Sequence, residues 1–154
     1  MKKGRYCKYV LLTTVLFSQQ NLYANQDGCI QGLDSFKCLE FVDNYDGDTV
    51  TFNIPNIHPV FGQKLKISLI DVKAPTTYSR NKCEKELAKE TKFLVRNIFK
   101  NAKFIEAKNI VRDKKFGLKG NIFVDGKNLS EQLIENRKAV PIKDYRNTDW
   151  CKTG

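Results

Sequence analysis

The chain has 154 residues, 41% of them hydrophobic and 29% charged, with 27 Lys or Arg against 17 Asp or Glu and a net charge of +10. That length and apolar content supply one core and exclude two, and they exclude a chain too polar to fold. The basic excess suits a polyanion such as nucleic acid, or an anionic membrane surface, although an ordinary lysine-rich exported protein carries the same balance.

In chain order, Lys2, Lys3, Arg5 and Lys8 precede an apolar run over 9–17 and a polar stretch ending at Leu22-Tyr23-Ala24. This is the pattern of a secretory leader over 1–24, cut after Ala24. The run falls far short of the roughly 20 residues that span a bilayer, and no later stretch is apolar enough, so no transmembrane segment is expected. Loss of the leader removes four basic residues and no acid, leaving 23 against 17, a net of +6. Residues 25–37 then form an N-terminal arm and 38–154 a single domain. Cys29, Cys38, Cys83 and Cys151 remain, an even number in a chain bound for an oxidising compartment, the periplasm or the exterior. Two disulfides are expected. Of three possible pairings, Cys29 with Cys38 and Cys83 with Cys151 is the simplest, one stapling the arm and the other the tail. A zinc site is disfavoured because no Cys-x-x-Cys spacing occurs and the single histidine, His58, reads as an ordinary loop residue beside Pro59.

Residues 39–45 and 49–54 read as two strands joined by the turn Asp46-Gly47-Asp48, a hairpin signal. A loop with Pro55, Pro59 and Gly62 leads to a third strand over 63–71, where Leu65, Ile67 and Leu69 alternate with Lys64, Lys66 and Ser68. From 84 to 100, Leu87, Leu94, Val95 and Ile98 fall at helical spacing. Residues 103–110 and 121–124 read as strands, the second closed by Asp125-Gly126. Asn128-Leu129-Ser130-Glu131 then offers an N-cap with a Glu three residues on, opening a short helix. Three strands, a helix, two strands and a helix predict an α+β domain: a five-stranded barrel of the oligonucleotide-binding type with two or three packed helices.

Within that order stand Asp46-Gly47-Asp48-Thr49-Val50, Lys66-Ile67-Ser68-Leu69-Ile70-Asp71, Arg112-Asp113-Lys114 and Val124-Asp125-Gly126-Lys127. From about Cys38 to Val140 the chain resembles the staphylococcal-nuclease-like, or thermonuclease, family. The resemblance implies a calcium site held by Asp48 and Asp71, with Asp46 close by and the Val72 carbonyl as a further ligand. Hard-oxygen ligands at strand ends suit calcium, which polarises a phosphodiester and helps activate water. An Asp-Gly hairpin turn that binds no metal is the plain alternative.

The positions of the family's remaining catalytic residues are substituted. Active members carry an arginine five residues before the second aspartate, where this chain has Lys66. They place a glutamate after an Asp-x-Pro step; here Asp71-Val72-Lys73-Ala74-Pro75-Thr76 holds two extra residues and puts Thr76 there, with no carboxylate before Glu84. A second arginine is replaced by Gly117. Loss of a general base alone lowers a rate by about 10²- to 10⁴-fold, and a lysine lacks the bidentate fork of guanidinium. The expectation is therefore an exported nuclease-like domain that binds nucleic acid with hydrolysis lost or strongly weakened. Lys64, Lys66, Lys114, Lys115 and Lys119 would meet phosphates, and Tyr45, Tyr78 or Phe116 would stack on bases, although core packing is the alternative for Phe116. Two other readings stay open: a divergent calcium-dependent endonuclease rescued by Glu84, Arg80, Arg112 or Lys119, and a disulfide-stabilised scaffold for an envelope protein.

Overall fold

The computed structural model describes residues 26–153, so the expected leader and its Cys7 lie outside the described residues. The strands are β1 (Phe36–Lys37), β2 (Glu40–Asn44), β3 (Thr49–Asn53), β4 (Leu65–Leu69), β5 (Val72–Lys73), β6 (Ile105–Arg112), β7 (Leu118–Val124), β8 (Lys127–Asn128) and β9 (Val140–Pro141). Four helices accompany them, α1 (Pro59–Gly62), α2 (Lys82–Lys100), α3 (Leu129–Glu135) and α4 (Trp150–Thr153), rather than two or three. The main sheet runs β1-β6-β7-β4-β3-β2, with β8 added to β7; every pair is antiparallel except β4 with β7. Its five long strands thus follow the oligonucleotide-binding order, curled into a half-barrel. The Leu39 amide donates to the Ile105 carbonyl at 2.9 Å, joining the start of the first long strand to β6.

Alternation decides which way each strand faces. Val50 and Phe52 of β3 and Ile67 and Leu69 of β4 point into the core, while Thr49, Thr51, Lys66 and Ser68 face out. Helix α2 covers the open end with Leu87, Ala88, Thr91, Val95 and Phe99, a stripe at i, i+4 spacing. It begins two residues earlier than its apolar pattern indicates because Asn81 caps it, accepting from the amides of Cys83 and Glu84. His58 is likewise more than a loop residue: its ring accepts from the Val60 amide and caps α1, whose first residue is Pro59. The anticipated Asn128 cap of α3 is present, bonded to the Ser130 amide at 2.8 Å.

Both disulfides take the simplest pairing, Cys29 with Cys38 and Cys83 with Cys151, at Cα separations of 5.4 and 5.2 Å. The second ties α4 to the first turn of α2. No helix among the described residues is long and apolar enough to cross a membrane.

Candidate functional site

The acidic turn is held rigidly from three sides. Buried Asn44 donates to the Asp46 carbonyl at 3.1 Å and to the Lys92 carbonyl of α2 at 2.9 Å. Gly47 has no left-handed backbone; glycine is required there by space, since a Cβ would lie 2.4 Å from the Thr91 methyl and 2.8 Å from the Ala74 Cβ. The Asp48 amide donates to Asp46 Oδ1 at 3.1 Å, which folds the two acids onto each other. Asp48 is itself buried, and its carboxylate is fully engaged: Oδ1 accepts from the Thr49 hydroxyl at 3.1 Å, Oδ2 from the Ala74 amide at 2.9 Å.

The remaining partner of Asp48 is Lys73, whose Nζ lies 2.8 Å from Oδ2. Nothing in the sequence pattern singles this lysine out. It sits within the two-residue surplus after Asp71, which pairs as β5 against β9, Lys73 opposite Val140, and so turns its ammonium toward the acidic turn. Burial by itself lowers the Lys73 pKa, but the hydrogen bond and charge of Asp48, helped by Asp46, more than offset this and raise it. The ammonium is firmly charged at neutral pH. Asp71, the other implied calcium ligand, is exposed, and none of the described hydrogen bonds or ion pairs uses its carboxylate; its carbonyl accepts from the Ile142 amide at 2.9 Å. Among the described residues no three His, Cys, Asp or Glu side chains converge as metal ligands. Asp46, Asp48 and Asp71 as arranged do not fit calcium, which takes six to eight oxygens, because a lysine already fills the open side of the central carboxylate.

Around the turn the outer sheet face is cationic and aromatic. Thr49, Ser68 and Lys119 lie in register across β3, β4 and β7, with the Thr49 and Ser68 hydroxyls 3.0 Å apart. Lys66 Nζ stands 5.3 Å from the centroid of the Tyr45 ring. Tyr45 in turn stacks on Tyr78 with centroids 6.2 Å apart and hydroxyls at 2.6 Å, although both rings are largely exposed. That hydrogen bond, with some burial and the charge of Asp46, raises the Tyr45 pKa above its ordinary value. The loop after β5 therefore does fold toward the turn, but it brings an aromatic ring and no base: the Glu84 carboxylate is bonded to the Thr76 amide at 3.1 Å.

The other substituted position is built differently. Asp113 Oδ1 accepts from the amides of Lys115 and Gly117 at 2.8 and 2.9 Å, which depresses its pKa, and a Cβ at Gly117 would stand only 3.0 Å from Asp113 Oδ2. Phe116 adopts φ of 62° and is 80% exposed, so it is a loop-tip ring and not part of the core. Lys114 and Lys115 share this exposed turn, whereas Lys64 lies at the entry to β4, its amide donating to Asn53.

Burial raises Asp46 to about 6, reinforced by the neighbouring Asp48 carboxylate. A carboxyl whose folded pKa exceeds its ordinary 3.8 keeps its proton longer in the native state, so it favours folding below pH 4 and loses that contribution as pH rises through about 6. Urea midpoints should therefore show Asp46→Asn gaining about 1–2 kcal/mol on the wild type between pH 4 and pH 7, a figure already reduced for partial exposure. A constant difference across that range would contradict the assignment.

A family model described as staphylococcal nuclease homologue matches residues 66–152, more than half of the chain. The match takes in Lys66, Asp71, Lys73, Thr76 and Gly117, and it begins after the Asp46–Thr49 turn. Among curated proteins, none matches the chain.

Proposed function

The chain belongs to the staphylococcal nuclease homologue family, and from that premise we propose that it is an exported domain that binds nucleic acid and has lost, or nearly lost, phosphodiester hydrolysis. The observation that carries this reading is the Lys73–Asp48 ion pair at 2.8 Å. Members of the family are typically calcium-dependent; here the central carboxylate is committed to the chain's own ammonium, and Lys66, Thr76 and Gly117 supply neither guanidinium nor carboxylate. Phosphoryl transfer relies on positioned charge, so these losses act together.

Binding does not need those groups. Tyr78 presents a largely exposed ring backed by Tyr45, with Lys66 over the Tyr45 ring, and base stacking on such a ring contributes about 1–3 kcal/mol. Export is supported by the two disulfides, which persist in oxidising compartments.

The test incubates purified protein with denatured DNA in calcium and in chelator, alongside binding at several salt concentrations. Expected are no degradation in either buffer, binding that survives chelator and weakens with salt, and a loss of about fivefold or more in Tyr78→Ala. Calcium-dependent cleavage abolished by Asp71→Ala would replace this reading with the divergent endonuclease. Absence of any nucleic-acid affinity at low salt would leave the scaffold.

A further inference from the structure

Beside the acidic turn lies a second feature, a cavity of about 570 Å³ lined by Lys73, Ile142, Lys143, Tyr145 and Arg146. Three of its five lining residues are cationic and none is acidic. Lys143 and Arg146 are exposed, and neither forms an ion pair among the described residues. We propose that this cavity is a metal-independent phosphate-binding site, receiving a phosphate of the nucleic-acid strand; the identity of the strand rests on the function proposed above.

The chemistry comes from how the cations are held. An ammonium has three donors; the bond to Asp48 Oδ2 takes one and orients Lys73, leaving the others for the cavity it lines. Lys73 thus does two things at once, balancing the charge of a buried carboxylate and presenting its remaining N–H donors to a ligand. Arg146 adds a planar guanidinium, which matches two phosphate oxygens, and Lys143 a point charge. Tyr145 contributes a phenol whose ring packs 6.4 Å from that of Trp150.

The wall carrying Lys143, Tyr145 and Arg146 is also pre-ordered, which limits the entropy lost on binding. Strand β9 is paired to β5, the Ile142 amide bonds the Asp71 carbonyl, and the Asp144 carbonyl accepts from the Asn147 amide at 3.0 Å and the Thr148 hydroxyl at 2.9 Å. The Cys83–Cys151 disulfide anchors the C-terminal end of this wall to α2. A cavity of this size lies within the range of small-ligand sites and exceeds the volume of one phosphate, so the attached sugar fits with it.

The experiment measures anisotropy of 3′-labelled oligothymidylate, with and without a 5′-phosphate, and calorimetric binding of pyrophosphate, all in chelator. Lys143→Gln/Arg146→Gln, which leaves the Asp48 pair intact, should weaken binding at least tenfold and reduce the salt slope by about 0.7, one single-strand phosphate contact. Lys143→Arg, which keeps both the charge and the Arg146 guanidinium, should stay within about threefold of wild type, and thermal melting checks that both variants fold. Preference for the 5′-phosphorylated strand assigns the site to a terminal phosphate; equal binding of the two strands assigns it to an internal one. If the oligonucleotide binds wild type and Gln variant alike, the cavity proposal falls and the nucleic-acid reading stands. Should pyrophosphate alone bind, and lose affinity in the variant, the cavity stands and the reading falls. With neither probe bound by wild type, both fall.

Discussion

Lys73→Met is expected to lower the stability of the fold by about 2–3 kcal/mol, measured by urea denaturation at pH 7. Removing one partner of a buried ion pair costs roughly 3–5 kcal/mol, because the other charge is left uncompensated. The lower figure applies here since the Lys73 side chain is 37% exposed and Asp48 keeps the Ala74 amide and Thr49 hydroxyl. The cause is separable from lost packing by a double-mutant cycle. Once Asp48 is Asn, no charge remains to be orphaned, so Asp48→Asn/Lys73→Met should recover about 1–2 kcal/mol relative to the sum of the single variants. Calcium supplies a second discriminator. Wild type should melt at the same temperature in calcium and in chelator, whereas Lys73→Met, with Asp48 uncovered beside Asp46, should melt higher in calcium. An equal calcium response in the two proteins would mean that the ammonium and the ion do not compete for one carboxylate.

What the sequence made legible, and what it hid, divides along physical lines. Strands β3 and β4 were readable because their outward Thr, Lys and Ser alternate with buried Val, Phe, Ile and Leu. The Asp125-Gly126 hairpin was readable for a related reason: both residues have positive φ, 50° and 80°, which is what that residue pair favours. The Asp46-Gly47 turn gave the same signal for a different cause, since Gly47 makes room for Thr91 and Ala74, which are distant in sequence. Local rules found the turn but not the helix pressed against it. Lys73 was harder still. Its role depends on β5 pairing with β9, 67 residues apart at Lys73 and Val140, and two-residue strands leave no period to detect. The only available sign was the surplus of two residues after Asp71, which reads in sequence as a damaged catalytic segment and in space as the segment delivering a cation. The cavity residues Lys143, Tyr145 and Arg146 lie in equally aperiodic chain. The caps at Asn81 and His58 did have signals, a Glu three residues on and a following proline.

That dependence of the site on its C-terminal segment makes the longer disulfide the second strong expectation. Cys83 and Cys151 are 68 residues apart in sequence, against nine for Cys29 and Cys38. In the chain-entropy model, closing the longer loop stabilises by about 4 kcal/mol and the shorter by about 3. Cys83→Ser/Cys151→Ser should therefore lower stability by about 4 kcal/mol in urea titrations, more than Cys29→Ser/Cys38→Ser. The effect should also be local in hydrogen exchange, with amides of 140–153 losing protection while β3 and β4 keep theirs. The secondary structure of that segment cannot replace the bond: β9 has two residues and α4 four, far below the length at which a helix sustains itself. Buried Trp150 also holds the segment to the domain. If the double serine variant lost under 1 kcal/mol with exchange unchanged, the burial of Trp150 would suffice, and Lys73 would keep its position opposite Val140 without the covalent tie.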